Sequence, residues 1–331
     1  MALGSLYARV YAEAYAKAIL RYNIMTKNYP IDINFEITTA CNLKCKYCPR
    51  YELIRKGVRD AGHMDYDLVN KIIRDMSKIS DKRFSISPVG LGEPLLYPQI
   101  YDVLKLLRER FPRARIHINT NAVLLDEESS KELIKTGIDD IIFSINIWDE
   151  ELYERYHGVD ALPDVIENVR RFLQMKGDRK PRAVLQILDI DINKERIGAF
   201  MRYWKPYLNE NDVIYVRPIC DYGGRISLND FISQQKDKKR YPCQALFTTV
   251  MINKDGFIFP CCMGVAYSPD VDICLGNVQN INFIEAFRGE VARNLRKLHK
   301  TEKYDSIYPC NVCGSWKVMK NIFFKVGGRW I

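Results

Sequence analysis

The chain has 331 residues, 47% of them hydrophobic, with 18 glycines and 14 prolines; it is long enough to bury a large core and shows no bias toward disorder. Fifty basic against 41 acidic side chains leave a net charge of +9, but the charges are interspersed apart from short runs such as Lys236 to Arg240, which reads as a solvated surface and not a nucleic-acid footprint. No apolar stretch approaches the roughly 20 residues of a membrane span, and the N-terminus lacks a charged-then-apolar signal pattern, so a cytoplasmic protein without stable membrane insertion is expected.

In chain order, residues 1–30 come first. Leu3, Leu6, Tyr7, Val10, Tyr11, Ala14, Tyr15, Ala18 and Ile19 recur at helical spacing and give an amphipathic helix one apolar stripe. It must dock on its own domain or on a second subunit, which would make a homodimer; its tyrosines also suit a membrane surface. After Pro30, short apolar runs alternate with helical patterns. The strands expected are 34–38, 84–88, 115–119, 140–146, 183–189 and 213–217, with helices near 66–79, 99–110, 127–135, 163–175 and 194–204. In the first helix Val69, Ile72, Ile73 and Met76 form the buried stripe, and Asp126 and Gly137 bracket the third. Six strands separated by helices require right-handed crossovers and a parallel sheet, curled into a partial barrel or left open. Chemistry then belongs at the carboxyl ends of the strands.

Beyond about 235 the pattern changes. Thr248 to Ile252 and Phe257 to Cys261 flank Asn253-Lys254-Asp255-Gly256, a hairpin connection, and one helix is expected over about 282–299. The organisation is therefore an α/β protein: a barrel over 31–235 and a small cysteine-bearing α+β domain over 236–331.

Ten cysteines in such a chain point to metal ligation, because cytoplasmic thiols stay reduced. Cys41, Cys45 and Cys48 begin three residues after the first strand. Three thiolates at these spacings wrap one [4Fe-4S] cube and leave its fourth iron open, whereas a zinc site wants a fourth ligand, for which His63 is the available one. Gly90-Leu91-Gly92-Glu93-Pro94 follows strand two; its glycines let backbone approach a ligand, and its carboxylate can receive an ammonium group. Thr120 and Asn121 after strand three, Ser144 and Asn146 ending strand four, and Gln186 on strand five put small polar groups at the same edge.

On these residues, over roughly 32–220, the chain resembles the radical S-adenosylmethionine (SAM) superfamily, whose hallmark is this cysteine spacing with an aromatic residue before the last cysteine, here Tyr47. The resemblance implies a partial (β/α)6 TIM-like barrel and an open iron that chelates the methionine moiety of SAM. It places the adenine near Tyr47, the amino group at the segment containing Gly92 and Glu93, and the ribose near Asn121, Ser144 and Asn146. Leu91 stands where the family motif has the first of paired glycines.

Cys243, Cys261, Cys310 and Cys313 form the second set. Four thiolates close a site completely, and since strand neighbours point to opposite faces, Cys262 is left a packing role beside Cys261. A zinc ribbon is the alternative. Pro242-Cys243, Gly256 to Cys262, Leu275 to Val278 and Pro309 to Cys313 resemble the SPASM or twitch domains of radical SAM enzymes, and the cysteine number fits the single-cluster twitch type. That resemblance implies two [4Fe-4S] clusters in all. Cys274 reads as core; Cys220, past strand six, reads as a packed thiol or as a hydrogen-atom donor, and Arg217 as a residue that binds or deprotonates substrate.

The expected activity is that of an oxidoreductase: a flavodoxin- or ferredoxin-like donor reduces the first cluster, SAM is cleaved to a 5′-deoxyadenosyl radical, hydrogen is taken from a small hydroxylated substrate such as a sugar or cyclitol, and the second cluster accepts an electron. A peptide-modifying enzyme, a radical epimerase, and a non-enzymatic iron-sulfur or zinc protein are the competing readings.

Overall fold

The computed structural model describes residues 28–233 and 239–319, together with Phe323 and the backbone of the paired strands Lys325–Val326 and Arg329–Trp330. The amphipathic helix expected at 2–22, and most of the Lys236 to Arg240 run, lie outside the described residues.

Six strands form a parallel array: β1 (Asp32–Phe35), β2 (Ser85–Ser87), β3 (Arg115–Thr120), β4 (Asp140–Asn146), β5 (Arg182–Asp189) and β6 (Val213–Pro218). The helices of the crossovers include α1 (Arg50–Arg55), α2 (Tyr66–Met76), α3 (Ile100–Arg110), α4 (Glu127–Lys135), α5 (Glu150–His157), α6 (Leu162–Lys176) and α7 (Ile197–Trp204). Local chemistry sets their ends. The Asp126 carboxylate accepts from the N–H of Ser129 to cap α4, and Gly137 follows with a φ of +70°. In α2, Leu68, Val69, Ile72, Ile73 and Met76 are buried, as the apolar spacing requires.

Strand alternation gives the sheet two unlike faces. Ile33, Phe35, Ile86, Ile116, Ile118, Ile141, Phe143, Leu185 and Ile187 are buried in the apolar core, where Phe143 meets Phe172 of α6 edge-on at 5.3 Å. The opposite face lines a lumen with Ser85, Arg115, His117, Asn119, Asp140, Arg182, Gln186, Tyr215 and Arg217.

The C-terminal region is not detached from this sheet. After α8 (Ala245–Thr248), strand β7 (Thr249–Ile252) pairs in parallel with β1, β8 (Phe257–Phe259) returns antiparallel, and β9 (Gly276–Asn277) completes a nine-stranded order β6-β5-β4-β3-β2-β1-β7-β8-β9. The stretches read as two domains thus share one sheet. Two helical expectations need correction. Helix α5 was not expected, and the segment read as one helix over 282–299 is two, α9 (Phe283–Arg288) and α10 (Glu290–Lys300), broken at Gly289.

Candidate active site

One cavity at the carboxyl ends of the strands is lined by Cys41, Cys45, Tyr47, Cys48, Gly92, Glu93, Asn121, Ser144, Asn146, Gln186, Arg217 and Cys220. It therefore brings together all the residues singled out in the sequence for the first cysteine set, the cofactor and the reacting groups. His63 is turned to other work: its Nδ1 lies 2.9 Å from the Thr38 hydroxyl.

The loop of Cys41 to Cys48 is held by a helix the sequence did not announce. Lys44 and Lys46 donate their backbone N–H groups to the carbonyls of His157 and Tyr156, both at 2.8 Å, so the free carbonyls at the end of α5 find their partners in this loop. Tyr47 is 8% exposed and its hydroxyl is hydrogen-bonded to His157 Nε2. Burial pushes the His157 imidazole down to about 4, so it is neutral at pH 7.

From Tyr47 a hydrogen-bonded chain crosses the cavity wall. Asn146 Nδ2 donates to the Tyr47 hydroxyl (3.1 Å), Gln186 Nε2 donates to Asn146 Oδ1 (2.7 Å), and Arg217 Nη1 lies 3.5 Å from Gln186 Oε1. Asn146 has a φ of +65°, left-handed for a side-chain-bearing residue, at a shift in the β4–β5 register, and its carbonyl is held by Asn193 Nδ2 at 2.7 Å.

The glycines of the 90–94 segment have a different reason from the one expected. A Cβ on Gly90 would land on the side chain of Glu36, and one on Gly92 on the carbonyls of Thr38 and Ala40. Glycine is needed because this segment packs directly on the end of β1, with Glu93 N–H donating to Ala40 (2.8 Å). The Glu93 carboxylate accepts from the N–H groups of Asn121 (2.8 Å) and Leu95 (3.1 Å); burial nevertheless pushes its pKa up to about 7. Glu36 and Arg59, which sequence reasoning passed over, make a buried ion pair at 2.6 Å behind this segment.

The thiols of Cys41, Cys45 and Cys48 are all pushed up by burial, Cys48 to about 12, and Cys41 and Cys48 add to the shift of Cys45. Such thiols ionise readily only against a bound cation, so the donor set fits a metal cluster. In the second set, Cys261 is raised by burial and by Cys262, Cys310, Cys243 and Cys313 around it; Cys310 and Cys313 are pushed to about 12. Four neighbouring thiols offer a soft donor set. No three histidine, cysteine or acidic side chains among the described residues are drawn together for a single metal ion. Cys262, expected only to pack, has Asp32, Cys220, Arg217 and Cys243 as charged or ionisable neighbours, whereas Cys274 is set apart with Asp270. The Asp221 carboxylate, just past β6, accepts from Gly314 N–H and the Ser315 hydroxyl and ties the Cys310 to Cys313 turn to the barrel.

Two family models match the chain: the Radical SAM superfamily over residues 35–203, and the SPASM iron-sulfur cluster-binding domain over 243–314. Among curated proteins, the tungsten-containing aldehyde ferredoxin oxidoreductase cofactor-modifying protein of Pyrococcus furiosus is 29% identical over 173 residues, 51% of this chain and 46% of that protein. GTP 3′,8-cyclase of Clostridium botulinum is 25% identical over 210 residues, 62% of this chain and 64% of that protein. The match thus spans between about half and two thirds of these relatives' length. Similar solved structures include BtrN in complex with AdoMet and 2-DOIA (TM-score 0.57, 18% identity, 86% of this chain and 92% of that one) and native anSMEcpe with bound AdoMet (0.61, 17%, 82% and 84%). Streptococcus suis SuiB bound to precursor peptide SuiA gives a TM-score of 0.62 at 16% identity, covering 93% of this chain and 74% of that one. At these identities the likeness is one of fold, a partial TIM barrel. No helix among the described residues is long and apolar enough to cross a membrane. With a barrel model matched over half its length and an iron-sulfur model behind it, the chain belongs to the radical SAM superfamily, carries a SPASM-type domain, and has SAM and iron-sulfur clusters as its cofactors.

Proposed function

We propose that the protein oxidises a small hydroxylated substrate held between two clusters, one bound by Cys41, Cys45 and Cys48 and the other by Cys243, Cys261, Cys310 and Cys313. When bound, these groups supply reductive cleavage of SAM to a 5′-deoxyadenosyl radical and, at the second cluster, uptake of an electron from the substrate. The residues of the chain do the rest. Glu93 receives the amino group of SAM, Gly92 lets the segment that carries Glu93 pack against β1 at the cavity wall, and Asn121, Ser144, Asn146 and Gln186 orient the nucleoside beside Tyr47. Arg217 orients the substrate. A flavodoxin- or ferredoxin-like protein is the proposed electron donor.

The observation that carries this reading is the side-by-side placement of Cys261 and Cys262. The first has Cys310, Cys243 and Cys313 of its set about it, while the second neighbours Cys220 and Arg217 of the cavity wall as well as Cys243. A substrate at Arg217 then sits within electron-transfer reach of a fully ligated cluster. BtrN, whose structure holds AdoMet and 2-DOIA, lends this reading support by fold.

Anaerobically reconstituted protein should hold about eight irons, two cubes of four. Cys310→Ala with Cys313→Ala should bind about four, still convert SAM to 5′-deoxyadenosine, and yield no oxidised product. Retained product formation in that variant, with loss in Cys220→Ala instead, would make the enzyme an epimerase that quenches its radical with the Cys220 thiol. Cys220 lines the cavity and is 8% exposed, which keeps that second reading in play.

A further inference from the structure

The cofactor cavity does not end at its floor. Asn119, Gln186 and Arg217 line both that cavity and a second chamber, which continues down the barrel lumen past Ser85, His117, Tyr215 and Asp140. Arg217 stands at the neck between them. Its guanidinium has no carboxylate within ion-pair distance among the described residues, and its one hydrogen-bond contact is the long one to Gln186 Oε1 at 3.5 Å. Five N–H donors in a planar fork are built for bidentate binding of a carboxylate or phosphate, and a cation in a cavity wall without a partner is costly.

We infer that the lumen takes an anionic substrate and that Arg217 grips its carboxylate or phosphate group at the neck. This rests on the proposed placement of SAM in the upper cavity.

The groups that face Arg217 leave it unneutralised. They are Tyr222, Cys220, Cys262 and Tyr215, and no aspartate or glutamate is among them. At the far mouth Arg115 and Arg182 share the carboxylate of Asp140, and Asp32, in register with Ser85 and Arg115 and accepting from the Ser85 hydroxyl at 2.8 Å, offsets the second positive charge, while burial pushes His117 down. The unbalanced cation is therefore Arg217 at the neck. In the β5–β6 register Arg217 pairs with Leu188, six residues beyond Arg182, so the two cationic positions are roughly 20 Å apart along the strand. An anion entering from the mouth therefore finds its unpaired cation at Arg217, beside the cofactor.

One other anion competes for Arg217, the carboxylate of SAM itself, and the test separates the two. Reconstituted, SAM-saturated holoenzyme is titrated calorimetrically with pyrophosphate and, separately, with succinate, and SAM affinity is measured on the same preparations. The expected result is saturable binding of at least one probe, weakened tenfold or more in Arg217→Gln and partly restored in Arg217→Lys, with SAM affinity within threefold of the parent. Absence of probe binding, or equal binding in Arg217→Gln, overturns the inference. So does a tenfold loss of SAM affinity in Arg217→Gln, which would give the guanidinium to the cofactor. Conversion of SAM to 5′-deoxyadenosine by the parent, assayed alongside, tells failure of this inference from failure of the reading beneath it.

Discussion

Both carboxylate oxygens of Glu93 are engaged by backbone N–H groups, from Leu95 and Asn121, so the side chain is fixed before any ligand arrives. The Thr120 hydroxyl also bonds this carboxylate, and of its roughly four lone-pair sites one remains for an amino group in the cavity. Because its pKa is raised to about 7, the charged acceptor is present above that pH and is lost as pH falls through it. SAM affinity of the parent should accordingly drop between pH 8 and pH 6. Glu93→Gln should bind SAM roughly 10- to 100-fold more weakly at pH 8, the worth of one charge-assisted hydrogen bond at about 1.5–3 kcal/mol, and the gap from the parent should narrow at pH 6. Calorimetric titration at three pH values decides it: a gap of constant size would mean that Glu93 is not the titrating acceptor. The motif was legible in the sequence because a carboxylate after two glycines at a strand end is a local pattern. The reason for the glycines was not, since Glu36 and Thr38, which forbid a side chain there, are far away in the chain.

At the scale of elements, the least legible piece is α5, whose sequence Glu150 to His157 shows little apolar periodicity. It buries Tyr153 and His157, and its work is done by terminal carbonyls that grip Lys44 and Lys46, a contact no side-chain pattern encodes. The strands were easier, because their period-two alternation is written in the residues. Arg115, His117 and Asn119 alternate with Ile116 and Ile118, and the structure turns the first set to the lumen and the second to the core. Strand β4 ends in the left-handed Asn146, where backbone and side chain make separable contributions. Asn146→Ala and Asn146→Gly both lose the bridge from Tyr47 to Gln186 and should lose SAM affinity alike. Only alanine pays for a Cβ in this conformation, so it should be less stable than glycine by about 1–2 kcal/mol. Denaturation midpoints of the two variants test this; equal stability would remove the strain from the account.

For the molecule as a whole, the question is what makes the barrel and the C-terminal region one body. The sheet is one answer, since β7 pairs with β1 along its full length. The other is Glu36, just past the end of β1 and 0% exposed, a burial that glutamate almost never reaches unless it is paired. One of its oxygens accepts from Leu91 N–H in the cofactor segment (3.1 Å); the other takes Arg59 (2.6 Å) and Lys254 N–H of the β7–β8 hairpin (3.2 Å). Arg59 in turn donates to the carbonyl of Val265, a few residues past Cys262. This pair therefore touches both cysteine-bearing regions at once. Burial raises the Glu36 pKa against the pull of Arg59, so removing Arg59 leaves a carboxylate with no counter-charge in the interior. Arg59→Met should cost about 3–5 kcal/mol, and Glu36→Gln with Arg59→Met should cost less than the single change, because the buried charge goes with its partner. The single variant should also bind SAM more weakly and hold less iron at the second cysteine set, through Leu91 on one side and Lys254 and Val265 on the other. Melting curves, SAM titration and iron content on the same preparations separate the outcomes. If stability falls while cofactor affinity and iron content hold, Glu36 and Arg59 brace the core without connecting the two sites.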